Sequence, residues 1–170
     1  MLTIRPAVLR DAKAMMEVHR EAVFAKAAGH YSRAILEAWA PGATTDRVVQ
    51  VGHEIADPAF IVLVAEAAGD LIGFAMAIPT NGELRAVYVK PNRVGGVGRA
   101  LLAEIEGRAF ALAEQLACDA SLNAEEFYKA NGYQAEAPIR HVLRRGTAIP
   151  CIRISKRRPG PRVIALSAAT

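Results

Sequence analysis

Lys90 to Leu102 reads KPNRVGGVGRALL. Three glycines fall within four residues, a basic residue flanks them on each side, and an amphipathic helix pattern follows. The general use of such a stretch is to hold an anion. A helix N-terminus leaves several N–H groups unpaired and carries the positive end of the dipole. Glycines let the backbone approach phosphate oxygens without Cβ atoms in the way. Arg93 and Arg99 add positive charge at the rim. The chemistry read from these residues is phosphate binding, and the rest of the chain must say which phosphate.

Two nucleotide readings fit poorly. A P-loop needs Lys-Ser/Thr after its last glycine, and here Arg99-Ala100 follows Gly98. A dinucleotide fold places its glycine loop after the first strand among parallel neighbours. This loop follows the fourth strand of a meander and is entered through Pro91.

The elements that position the loop come from the hydrophobic pattern. LTIRP reads as a short strand. Asp11 is placed to cap a helix running to about Ala28, with Ala12, Met15, Met16, His19 and Val23 at helical spacing. YSRAILEAWA is a short helix capped by Ser32 and ended by Pro41-Gly42, and a further helix spans roughly Thr45 to Ile55. AFIVLVAEA reads as a buried strand, Gly69-Asp70 as a turn, and LIGFAMAI as its hairpin partner. Pro79 to Gly82 turns the chain into the strand Glu83 to Val89. The helix after the loop carries Leu101, Leu102, Ile105, Ala109 and Leu112 on one face. LACDAS is a strand, and Ala124 to Asn131 a short helix with Gly132 at its C′ position. Asn123 and Glu126 resemble a capping box. Strands over about Tyr133 to Arg144 and Ala148 to Ser155 turn around Gly146.

A chain of 170 residues, 52% hydrophobic and 22% charged, fits one globular domain. Residues 1–156 read as that domain and 157–170 as a basic, Pro-containing tail. No apolar run reaches a membrane span, and MLTIRPAVLRDA reads as an edge strand without an apolar signal core. Cys118 and Cys151 lie far apart without a partner motif, which points to a reducing compartment and the cytoplasm. The net charge is +4, but RISKRRPGPR, from Arg153 to Arg162, holds five basic residues and no acidic one. Subtracting those five leaves the rest of the chain at −1. The basicity thus sits in a tail without interleaved aromatic residues, which argues against nucleic acid as a partner. The four histidines, at 19, 30, 53 and 141, show no metal-ligand spacing.

RVGGVGRALL resembles the pyrophosphate-binding signature Arg/Gln-x-x-Gly-x-Gly/Ala of the GNAT superfamily of N-acetyltransferases, matched by Arg93, Gly96 and Gly98. ELRAVYV is similar to the strand that precedes that signature. NAEEFYKANGY is similar to the family's second signature, Ala-x-x-Phe-Tyr-x-x-x-Gly-Phe/Tyr. The resemblance spans about Leu2 to Lys156, and HYSRAILEAWAPG further resembles a bacterial YafP-like subgroup. It implies an α/β (α+β) fold of one domain, with a mixed, mostly antiparallel central sheet and helices on both faces. It also implies acetyl-CoA as co-substrate, no metal, and direct acetyl transfer to a primary amine on a small molecule or peptide. The backbone of Val94, Gly95, Gly96, Val97, Gly98 and Arg99 would wrap the pyrophosphate, with Arg93 and Ala100 completing the loop. Val87, Tyr88 and Val89 would pair with the pantetheine arm as an added strand. The strand LACDAS must then splay away.

The resemblance places Tyr128 at the general-acid position, four residues before Gly132, where its phenol would protonate the leaving sulfur. The alternative is a ring packed on the sheet, the role expected of Phe127. Glu83 is placed to deprotonate the amine through a water, or is a solvated turn residue. His19 and His30 are further base candidates, although a lone His in such places is usually structural. Where the family commonly has a cofactor-binding Asn, seven residues before the tyrosine, this chain has Ser121, and Asn123 lies two residues on. Tyr31 and Trp39 would wall the acceptor pocket, with core packing the alternative for Trp39. Two other classes stay open, a catalytically silent acyl-CoA-binding sensor and a nucleic-acid-associated protein using the tail. A homodimer is also left open.

Overall fold

The computed structural model describes residues 1–91 and 95–160. Among them a seven-stranded sheet has the order β1-β2-β3-β4-β5-β7-β6, from Leu2–Pro6, Ile61–Ala67, Asp70–Ile78, Glu83–Val89, Gln115–Ser121, Ala148–Arg157 and Gln134–Val142 respectively. Every neighbouring pair is antiparallel except β4 and β5. That is the meander, one crossover and closing hairpin expected from the sequence, and β1 lies at an edge. The helices are α1 (Ala12–Lys26), α2 (Arg33–Trp39), α3 (Thr45–Ala56), α4 (Val97–Ala109) and α5 (Glu125–Ala130).

Strand alternation feeds two cores. Leu63, Ala65, Ala75 and Ala77 face α4, whereas Val62, Val64, Phe74 and Met76 face α1 and α3. A third cluster joins Tyr31 and Leu36 to Ile149 and Cys151 of β7. Contact between α4 and β3 is close because Gly73 lacks a side chain. A Cβ there would come 2.9 Å from Leu101 Cδ1 and 2.9 Å from the Tyr88 carbonyl oxygen.

Several local expectations need correction. Asp11 does not cap α1: it sits in helical conformation, and its carboxylate accepts from Arg5 at 2.7 Å and from the Val8 N–H at 2.8 Å. Ser32 does cap α2, accepting from Ile35 N–H at 3.4 Å. The β2–β3 turn centres on Ala68-Gly69, both at positive φ, one residue earlier than expected, because Asp70 already pairs with Ala67. Leu112 lies beyond α4 and is exposed, and Val97, Phe110 and Ala113 join the core instead. Asn123 does not cap α5, whose N-cap is Ala124 without a side-chain bond.

The basic C-terminal run is also less of a tail than its composition suggested. Arg153, Lys156 and Arg157 belong to β7. Arg153 pairs with Asp119 at 3.0 Å, Lys156 with Glu106 at 2.7 Å, and Arg158 with Glu114. The acidic partners lie on β5, on α4 and in the segment between them, so the folded surface neutralises much of the run. Arg162 lies outside the described residues. No helix among the described residues is long and apolar enough to cross a membrane.

Candidate active site

The site begins as a defect in the sheet. β4 and β5 share one registered pair, Glu83 with Ala117, beside a bond from Ala117 N–H to the Gly82 carbonyl at 2.8 Å. Beyond it the strands diverge. On its other side β4 stays paired with β3 as far as Val89 opposite Gly73, and Lys90 N–H donates to the Ile72 carbonyl at 2.8 Å. Antiparallel alternation then turns the N–H and C=O groups of Val87 and Val89 towards β5, into the gap. Backbone groups inside a sheet are ordinarily paired, so these form an internal edge open to a ligand.

A bulge sharpens this geometry. Met76 pairs with Ala86 and Ala77 with Leu84, leaving Arg85 as the extra residue. The bulge inverts the strand's parity. Leu84, Val87 and Val89 pack on the α4 side, and Ala86 and Tyr88 on the α1 side. The gap belongs to a cleft of about 1220 Å³ that runs from the start of α4, past β4 and β5, to α1, α3 and the β6–β7 hairpin.

At the α4 end, Gly96 is the N-cap with φ +93°, a conformation suited to glycine. The first helical bond seen is from Ala100 N–H to Gly96 O at 2.9 Å, so Val97, Gly98 and Arg99 precede the ladder. The Ala100 N–H is engaged in the helix and is not one of these leading donors. A Cβ on Gly95 or Gly96 would meet none of the described residues within 4 Å. Gly98 is different. Its φ is helical, and a Cβ there would make ordinary contact with the Phe127 ring at 3.5 Å and Val89 at 3.6 Å. Arg93 and Val94 lie outside the described residues, and Arg99 is exposed at the rim of the cleft.

Tyr128 lines the same cleft from α5 and is 5% exposed. Its ring packs edge-on against Phe127 and Tyr133, at 5.1 and 5.4 Å between centroids. Burial beside Cys118 and Tyr88 holds the phenol well above its ordinary range, so it keeps its proton. Burial likewise pushes the Cys118 thiol up to about 12. Phe127 is partly buried against the core and also forms the cleft wall.

Glu83 stands where the two strands part and lines the cleft, its nearest ion partner being Arg85 at 3.8 Å. His19 lines it too but makes a poor base. It is 5% exposed and packs against Tyr88 at 4.5 Å, and burial plus the nearby Arg47 charge lower its pKa to about 3. His30 is exposed and outside the cleft. Ser121 and Asn123 both line the gap, and Asn123 Oδ1 is buried without a hydrogen-bond partner among the described residues. Of the two aromatic residues expected at the acceptor pocket, Trp39 lines the cleft and Tyr31 does not. The Tyr31 hydroxyl donates to the Pro150 carbonyl at 2.7 Å and accepts from Leu122 N–H at 2.9 Å, fastening β5 to β7.

Sequence reasoning missed Arg47, Gln50, Glu54 and Arg144, which line the far end of the cleft. The first three recur at i, i+3 and i+7 on α3, so their shared face was legible; Arg144 comes from the hairpin and was not. Among the described residues, no group of three or more His, Cys, Asp or Glu could hold a metal ion.

Comparison with known proteins matches this geometry to a family. Residues 27–142 match the family model described as acetyltransferase (GNAT) domain. A GCN5-related N-acetyltransferase structure from Rhodopseudomonas palustris superposes with a TM-score of 0.81 at 28% identity, covering 92% of this chain and 95% of that one. A PaiA N-acetyltransferase from Thermoplasma acidophilum, in complex with coenzyme A, gives 0.76 at 23% identity over 93% and 99%. YncA from Salmonella typhimurium, a putative acetyltransferase with its cofactor acetyl-CoA, gives 0.68 at 21% identity over 96% and 99%. No curated protein matches the chain. The chain belongs to the GNAT family of acetyltransferases and is an enzyme of that class.

Proposed function

We propose that the protein transfers the acetyl group of acetyl-CoA directly to a primary amine. The observation that carries this reading is the gap between β4 and β5, opened beside a glycine-turned helix N-terminus and walled by a buried, protonated tyrosine. A diphosphate fits the leading N–H groups of Val97, Gly98 and Arg99. The exposed edge of Val87 and Val89 fits an extended, amide-bearing arm. Asn123 Oδ1 offers that arm an acceptor. The PaiA structure, a complex with coenzyme A, and the YncA structure, with acetyl-CoA, support the same co-substrate.

Acetyl-CoA supplies the activated acyl group, and the protein's residues supply position and protons. Tyr128 holds a proton at its phenol oxygen for the departing sulfur. Glu83, at the mouth of the gap, takes the proton of the incoming amine through a water. The bulge at Arg85 turns β4 backbone towards the reacting carbonyl, where an N–H stabilises developing negative charge. The direct test incubates the protein with acetyl-CoA and a panel of small amines, amino acids, polyamines and peptide N-termini, and measures thiol release. Amine-dependent release supports the reading. CoA binding without release for any amine would favour a silent acyl-CoA sensor.

A further inference from the structure

At the end of the cleft away from α4, two guanidinium groups meet on one neutral atom. Arg47 Nη1 donates to Gln50 Oε1 at 2.9 Å, and Arg144 of the β6–β7 hairpin donates to the same oxygen. The Gln50 amide nitrogen donates onward to Glu54 Oε1 at 2.9 Å, so the nearby carboxylate is engaged with the amide and not with either arginine. Neither guanidinium forms an ion pair among the described residues. Arg47 Nε is buried without a hydrogen-bond partner among the described residues, and burial, opposed by the nearby Glu54 charge and aided by the Arg144 and Arg85 charges, weakens its hold on its own proton. An amide oxygen cannot neutralise two cations, and the single Glu54 carboxylate behind it offsets at most one of them. Like charges held together around a buried donor lacking an acceptor are costly unless an anion joins them.

We propose that Arg47 and Arg144 bind a carboxylate of the acceptor, so that the acceptor is a primary amine that also bears a carboxylate. The inference rests on the acetyl-transfer reading. A planar guanidinium matches a carboxylate through paired N–H bonds, and Nε–H with Nη–H is such a pair. The two arginines line the same cleft as Tyr88 and Trp39, with the β4–β5 gap lying between them and α4. A carboxylate held there leaves the amine end of the molecule directed at the gap. Polyamines, which bring only positive charge, would be repelled.

The test compares each of the standard amino acids with its own carboxamide as acceptor, together with putrescine and spermidine. For the best pair, kcat/KM is expected to be about tenfold or more higher for the carboxylate, the worth of one charge-assisted bond. Arg47→Gln should bring that ratio close to one, chiefly through KM. Arg144→Gln, on an exposed hairpin, repeats the test if the first variant folds poorly, with CoA affinity as the folding control. Equal or better transfer to amides or polyamines, or a ratio that ignores both substitutions, overturns the proposal. If no amine is acetylated, the acetyl-transfer reading fails separately. The anion site is then judged by Trp39 fluorescence, since the chain has one tryptophan and it lines this cleft. N-acetyl amino acids added to the CoA-loaded protein should change the signal at lower concentration than N-acetyl amides, and Arg47→Gln should abolish that difference. Absence of such selectivity overturns the proposal on its own.

Discussion

The two ends of the cleft are built from different material. At the α4 end the working groups are backbone: the first N–H groups of the helix, the open edge of Val87 and Val89, and a turn at Gly96 whose φ is +93°. At the far end they are side chains, with Arg47, Gln50 and Arg144 joined in one network and Trp39 and His19 packed edge-on about Tyr88. Backbone recognition constrains few residue types, so it suits a ligand that stays the same. Side-chain recognition can be rewritten residue by residue, so it suits the variable partner. Tyr128 stands between the two ends and should serve either.

The largest expected effect tests that middle position. Tyr128→Phe removes the proposed proton donor while keeping the ring that packs on Phe127 and Tyr133. On a verified acceptor kcat should fall by about ten- to a thousandfold with CoA affinity nearly intact. Unchanged turnover would make the phenol a packing group and leave protonation of the sulfur to water.

Next comes the backbone end. Gly96→Val forces a β-branched residue to φ +93°, which costs on the order of 1–3 kcal/mol and should weaken CoA binding by about ten- to a hundredfold in calorimetry. Gly98→Ala, at helical φ with only ordinary contacts for the new methyl, should preserve the fold. Any affinity it loses therefore measures crowding of the bound phosphates. Equal, small effects at both glycines would contradict a backbone cradle.

This contrast also explains how much the sequence revealed. The strands, the crossover and the start of α4 were legible because periodicity, turn residues and the glycine signature are local. The bulge at Arg85 was not. It depends on how β4 meets β3, and nothing within ELRAVYV marks it. Gly73 looked like any strand glycine because Leu101, its reason, lies 28 residues away. Tyr31 was read as a pocket wall, yet its hydroxyl is consumed by Pro150 and Leu122, partners far off in sequence. Asn123 looked like a cap, and instead it lines the cleft with its oxygen buried and unbonded among the described residues. The residues at the far end of the cleft were hardest to read because α3 and the hairpin meet only after folding.

A smaller effect probes the side-chain end through stability. His19 is neutral in the fold, with a pKa of about 3 against about 6.5 in an unfolded chain. The unfolded state therefore gains a proton below about pH 6.5 that the folded state refuses. The stabilisation is complete above that value and falls by about 1.4 kcal/mol per pH unit as pH drops towards 3. Asp11, held low by Arg5, adds its own loss only at more acidic pH. Denaturant melts between pH 7 and 5 should show this slope, and His19→Gln should flatten it whatever its absolute stability. A slope that survives the substitution would mean that His19 protonates freely in the fold.

The smallest and most specific effect concerns Glu83. If it accepts the amine proton, kcat/KM rises with pH through an apparent pKa that Glu83→Gln alters or abolishes. Two acceptors with different amine pKa values separate this from deprotonation of the acceptor in solution. A profile that follows the acceptor and ignores the substitution would reduce Glu83 to a turn residue.

The central claim, that the gap between β4 and β5 holds CoA through the backbone, is tested most directly by amide NMR during a CoA titration. The account predicts that the N–H signals of Val87, Val89, Val97, Gly98 and Arg99 shift together with one dissociation constant, and that the Val87 and Val89 amides exchange with solvent at least about tenfold more slowly in the complex. Saturating CoA that leaves those five signals in place while moving others would contradict it.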